Sequence, residues 1–114
     1  MLTIVALPIV GGRLCQHFGH SEKFAFFEVN RESGSISRCW DCEPPPHEPG
    51  VLPRWLQEQG AAFIIAGGMG RRAQDLFIQS GIEVLVGAEP IEPETLVRSW
   101  LEGKLVQGQN ACDH

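Results

Sequence analysis

Short runs of β-branched and aromatic residues alternate with stretches of helical periodicity, and glycine or proline closes nearly every one of them. That punctuation leaves few folds open. Leu2–Leu7 is a six-residue apolar run, the length of a buried strand and too short for a helix. Phe24–Asn30 and Ser35–Asp41 flank the polar segment Arg31–Gly34 and read as a hairpin. Glu43–Gly50 holds four prolines and is a loop. A helix follows over Val51–Gln59, with Val51, Leu52, Trp55 and Leu56 on one face, Pro53 in the first turn and Gly60 at its end. Ala62–Ala66 is a strand, and Gly67-Gly68-Met69-Gly70 turns it into a helix over Arg71–Ser80 that Gly81 ends. Glu83–Val86 is a strand, and a last helix runs from Pro93 to Gly103 with Leu96, Val97, Trp100 and Leu101 facing inward.

The order β-β-β-α-β-α-β-α predicts an α/β fold with a mixed five-stranded sheet and helices on both faces. The expected strand order is 3-2-1-4-5, with strand 2 antiparallel between strands 1 and 3. One domain over residues 1–105 and a polar C-terminal tail over 106–114 account for the chain.

This topology has a chemical consequence. If strands 1, 3 and 4 run parallel, their carboxyl ends share one edge, where open α/β sheets bind ligands. Three segments should meet there. The first is Cys15-Gln16-His17-Phe18-Gly19-His20, in which thiol and imidazole, the ligands that iron, copper, zinc and iron–sulfur clusters prefer, sit close together. The second is the loop from Cys42 to Gly50, which contains His47. The third is Gly67–Gly70, where backbone amides at a helix N-terminus, with Arg71 and Arg72 following, favour an anion.

Each of these has a plainer reading. His17 and His20 can be surface or hydrogen-bonded histidines, and the glycine turn can be a tight strand-to-helix connection; it matches neither the phosphate-binding P-loop nor the dinucleotide fingerprint. Cys39-Trp40-Asp41-Cys42 has the C-x-x-C spacing of a zinc site but lacks a second pair. Strand alternation would place its two thiols on opposite faces unless the strand stops before Cys42. Cys112-Asp113-His114 can supply a thiolate and an imidazole, or remain a disordered terminus.

Composition removes other classes. The formal net charge of −5, with Arg71-Arg72 the sole basic pair, disfavours nucleic acid as a partner. The apolar opening MLTIVALPIV lacks a basic n-region and is too short to span a bilayer, so no membrane and a cytoplasmic location are expected. No serine occupies a nucleophile elbow and strand 1 carries no carboxylate, which disfavours hydrolase chemistry. The four cysteines of such a chain are expected reduced, packed or metal-bound rather than in disulfides.

Arg13–Val29, with His-Phe-Gly ahead of Phe-Ala-Phe-Phe-Glu-Val, resembles the opening motif of the dinitrogenase iron–molybdenum cofactor biosynthesis family. Ala62–Phe77 and Gly81–Val86 resemble its later strand–glycine-turn–helix and Gly-Ile-strand, and His47 matches a recurrent position. The likeness covers roughly residues 1–105. It implies a three-layer, ribonuclease H-like fold and a non-enzymatic role: binding and carrying an iron–sulfur or molybdenum–iron–sulfur cluster or precursor, in company with cofactor-assembly or recipient proteins. His17 is the residue it marks first as cluster-contacting. His20 departs from the small or basic residue of the family pattern, and Cys15, Cys39 and Cys42 are not general family features. Two alternatives stand beside this reading: a zinc-binding structural module using Cys39, Cys42 and a histidine or the C-terminal tail, and a metal-free anion- or partner-binding domain centred on Gly67, Gly68 and Gly70.

Overall fold

A computed structural model describes residues 2–15, 22–45 and 51–103. Nine elements follow one another: β1 (Leu2–Val10), β2 (Arg13–Leu14), β3 (Lys23–Asn30), β4 (Ser35–Cys42), α1 (Val51–Glu58), β5 (Ala61–Ile65), α2 (Arg71–Gln79), β6 (Glu83–Leu85) and α3 (Pro93–Leu101). The sheet runs β4-β3-β1-β5-β6, with β2 paired to β1 as a sixth strand. Pairs β1–β3 and β3–β4 are antiparallel, whereas β1–β5 and β5–β6 are parallel. The proposed tail over 106–114 lies outside the described residues.

Two features depart from the expectation. The first strand continues past Pro8 to Val10, and Gly11-Gly12 folds it back into β2. Proline ends most central strands because it cannot donate to the ladder. Here the Pro8 carbonyl accepts the Cys15 N–H at 2.8 Å, so the flank of Pro8 that lacks an N–H faces the last residues of β2, beyond the end of the β5 pairing. The missing donor falls at the end of a two-residue ladder rather than inside a long one. Gly11 and Gly12, at φ 60° and 78°, provide the left-handed backbone of the turn. The sheet is therefore six-stranded rather than five-stranded.

Alternation along the strands divides the core in two. Val5, Leu7, Ile9, Ala25, Phe27, Val29, Phe63 and Ile65 point to the face that α3 covers with Leu96 and Val97. Ala6, Phe24, Phe26 and Ile64 point to the other, under Leu52 and Leu56 of α1 and Phe77 of α2. The central strands are apolar on both faces, as strands covered by helices on both sides must be. Trp55 packs edge-on against Phe24 and Phe26, and Trp40 stacks on Phe26 at 5.5 Å. On the α3 side, Trp100 lies 4.9 Å from Phe63, and the Arg31 guanidinium caps both rings at about 5 Å.

Leu56 is fully buried on the α1 side, in the cluster that holds Phe24, Phe26 and Phe77. Leu56→Ala removes that packing and leaves a cavity, so urea unfolding should show a loss of about 3 kcal/mol with an unchanged m-value. Gly81 closes α2 at φ +81°, with open space where a Cβ would stand. Gly81→Ala meets backbone strain alone and should cost about 1 kcal/mol in the same measurement.

Candidate functional site at the carboxyl edge of the sheet

Strands β1, β4, β5 and β6 share one direction, so their carboxyl ends, Val10, Cys42, Ile65 and Leu85, lie along one edge. Connections leave β1 toward β3 on one side, while β5 on its other side continues into α2. The crevice between β1 and β5 is thus where the chain paths diverge, the usual ligand position in such sheets.

Cys15 is anchored at this crevice. Its N–H bonds the Pro8 carbonyl on the flank of β1 that faces β5, and the neighbouring Leu14 N–H bonds the Ile91 carbonyl at 2.9 Å. The register Ala6↔Ile64 sets Pro8 level with Ala66, where β5 gives way to the glycine turn. Cys15 is 2% exposed. The chain re-enters β3 through Glu22, whose N–H bonds the Ile9 carbonyl and whose carboxylate Oε1 accepts the Gly11 N–H at 3.0 Å. Both ends of the segment that holds His17 and His20 are therefore tied to the last turn of β1. The segment that holds His47 leaves from the end of β4 and returns at the start of α1, on the same edge. His17, His20, His47, Cys112 and His114 themselves lie outside the described residues.

The glycine turn is built into the sheet. Ala66 N–H bonds the Leu85 carbonyl, Gly87 N–H the Gly67 carbonyl and Ala88 N–H the Ala66 carbonyl, so the chains after β5 and β6 stay paired across Gly67. Gly67 and Gly68 are buried. Met69 is buried too, and its carbonyl accepts Gln74 Nε2 at 2.9 Å. Gly70 is the N-cap residue of α2 and carries no side chain to cap it; the first turn has no acidic residue and begins with exposed Arg71 and Arg72. Neither arginine is ion-paired to a described residue. Asn, Asp and Ser, which offer a side-chain oxygen, rank above glycine at this position. Here no side chain caps the helix and no acidic residue of its first turn offsets the positive end of its dipole.

The structure does not gather the three described cysteines, Cys15, Cys39 and Cys42. Strand β4 runs through Cys42, so Cys39 and Cys42 stand on opposite faces: Cys39 pairs with Phe27 on the α3 side, and Cys42 pairs with Phe24 and packs toward α1. Cys42 is two strands from Pro8, about 10 Å, and Cys15 is one step further. Metal–thiolate bonds of about 2.3 Å cannot bridge such separations with one ion. Among the described residues, no three His, Cys, Asp or Glu side chains come together as a metal site.

One feature had no signal in the sequence. On the α3 face a groove of about 490 Å³ opens between α3 and β4, over Ile9 and Phe27, with Cys39, Glu92 and the Lys23–Asp41 pair (3.4 Å) on its walls. Lys23 and Asp41 are 18 positions apart, and only the β3–β4 register makes them neighbours. No helix of the described residues is long and apolar enough to cross a membrane.

The chain matches known proteins over nearly its whole length. It is similar to the protein MJ0580 of Methanocaldococcus jannaschii, at 34% identity over 106 residues, which covers 89% of this chain and 87% of that one. The structure superposes on that of PH0822 with a TM-score of 0.81 at 28% identity, over 92% of this chain and 94% of that one. It shares its fold with the apo form of the orange protein of Desulfovibrio gigas, with a TM-score of 0.71 at 18% identity over 96% of each chain. Residues 1–103 match the model of the family described as dinitrogenase iron-molybdenum cofactor. That match spans nearly the whole chain, and the chain belongs to the dinitrogenase iron–molybdenum cofactor family.

Proposed function

We propose that this protein binds an iron–sulfur or molybdenum–iron–sulfur cluster, or a precursor of one, and carries it to a recipient protein during metallocofactor assembly, without catalysing a reaction on it. The observation that supports this most is the bare N-terminus of α2 at the edge where the His17–His20 and His47 segments are anchored. Metal–sulfide clusters of this kind are anionic. Amide groups of Gly67, Gly68 and Gly70 and the charge of Arg71 offset that charge without forming bonds to the metal. His17 supplies the primary ligand, with Cys15, His20 and His47 as further ones. Few, open ligands suit a cargo that must leave again. The ribonuclease H-like label and a cytoplasmic setting, where assembly and recipient proteins are met and thiols stay reduced, belong to the same reading.

Two predictions follow from it. Protein reconstituted without oxygen in iron, sulfide and molybdate should take up metal with acid-labile sulfide, and His17→Ala should lower cluster affinity about tenfold or more with unchanged thermal unfolding. Unaltered uptake by His17→Ala would remove the assigned site. Stoichiometric zinc without sulfide would replace this function by the zinc-module reading, and a chain that takes up no metal would leave the anion- or partner-binding one.

Arg71→Ala and Arg72→Ala should each weaken cluster binding roughly two- to fivefold at low salt, an effect that shrinks as ionic strength rises. Salt-independent losses measured in the same titration would mean that the arginines act by shape rather than charge.

A further inference from the structure

Strand β4 forms one border of the sheet. It pairs with β3 along one flank and with no described strand along the other. Such a flank presents unpaired backbone groups and is a template for another strand. Which groups face outward can be worked out from the register. The Pro8 carbonyl points to β2, so Leu7 and Ile9 point their backbone groups to β3, as the bond from Glu22 N–H to the Ile9 carbonyl shows. Continuous antiparallel pairing then makes Phe24, Phe26 and Glu28 the residues of β3 that bond to Cys42, Trp40 and Arg38 of β4. The N–H and C=O groups of Cys39 and Asp41 are left pointing away from the sheet.

We infer that this border pairs with the same border of a second copy of the chain, antiparallel about a two-fold axis through Trp40. Symmetry and charge select the residue on the axis. A two-fold perpendicular to the sheet keeps each face on its own side, so one residue must stand opposite its own copy. Arg38 or Asp41 in that place would oppose like charges, which is destabilising. Cys39 in that place would send the outward groups of Asp41 to Ser37, where the β3–β4 register shifts between Glu28 and Val29 and the strand bulges, and Cys42 in that place would send those of Cys39 to Pro45, which has no N–H to donate. With Trp40 on the axis, the ladder lies wholly within the regular stretch Arg38–Cys42. Every outward group at Cys39 then meets one at Asp41 of the second copy, and the reverse.

The side chains agree with this register. Trp40 is half-buried, stacked on Phe26 at an interplanar angle of 15°, with the Arg38 guanidinium 4.6 Å from its ring centre. On the axis it meets Trp40 of the second copy, and the two aromatic clusters become one. Aromatic pairs directly across strands are among the more stabilising ones. Antiparallel pairing also turns the two carboxyl edges toward opposite ends of the joined sheet, so both candidate sites remain open. The inference does not depend on what those sites bind.

Light scattering on the reduced full-length chain, over a dilution series from millimolar to micromolar, should give the mass of two chains falling to one. Cys39→Pro removes an outward N–H and no β3–β4 bond, so it should yield the single chain with an unchanged far-ultraviolet spectrum. A wild-type chain that is single throughout, or a dimer that survives Cys39→Pro, would overturn the proposal. Should Cys39→Pro fail to fold, a cross-link decides. Trp40→Cys places two thiols at a non-hydrogen-bonded pair, with Cα atoms about 4.5 Å apart, within disulfide range. Mild oxidation should join the Trp40→Cys chains through position 40, whereas a wild-type disulfide mapped to Cys39 would place the axis elsewhere and overturn this register.

Discussion

Everything in the molecule is referred to β1. It pairs on both flanks and is buried on both faces from Val5 to Ile9, so the strand neighbours, the two helical layers and the candidate site all take their positions from it. A strand in that position has to be apolar at every residue, because no face of it meets water. The sequence meets this demand with Val5-Ala6-Leu7-Pro8-Ile9. Ala6 leaves room on the α1–α2 face for the large rings of Phe24 and Phe26. The proline is tolerated because its missing N–H lies where the ladder with β2 ends.

The same strand positions the candidate site. Since β1 runs on to Val10 and then doubles back, the segment that carries His17 and His20 begins at the crevice between β1 and β5 rather than in open solvent. The glycine turn after β5 occupies the far side of that crevice. Glycine serves two purposes there: the buried backbone at Gly67 and Gly68 has no Cβ to accommodate, and Gly70 leaves the first turn of α2 without a side-chain cap. A glycine at this position gives up only roughly a few tenths of a kcal/mol against a side chain that caps.

The two borders of the sheet are unequal. The β6 border is three residues long and follows directly from a helix, whereas β4 offers eight residues, two outward-facing donors and a large aromatic side chain beside them. The bulge at Ser37 shortens the usable length of β4, and Arg38 and Asp41 restrict what can lie against it. Charges and a bulge are common protections against indiscriminate strand pairing. Here they also narrow the acceptable partners to one register, so protection and specificity come from the same residues.

Most of the architecture was legible in the residues, for local reasons. Apolar runs of strand length, helical stripes such as Leu52, Trp55 and Leu56, and glycines at helix ends act within a few positions of themselves, so they can be read without knowing the fold. The C-x-x-C pair was legible as a warning: alternation separates Cys39 from Cys42 once the strand includes both, as β4 does. What the residues alone left undecided depends on register between distant segments. Whether β1 survives Pro8 turned on which flank its nitrogen faces. The pairing of Lys23 with Asp41, the groove beside Cys39 and the outward direction of the Cys39 backbone all turned on how β3 aligns with β4. A shift of one residue there would send every side chain of β4 to the other face. That alignment is decided by burying Phe24 and Phe26 under α1 while Ala25 and Phe27 lie under α3, which is a property of the packed molecule and of no single segment.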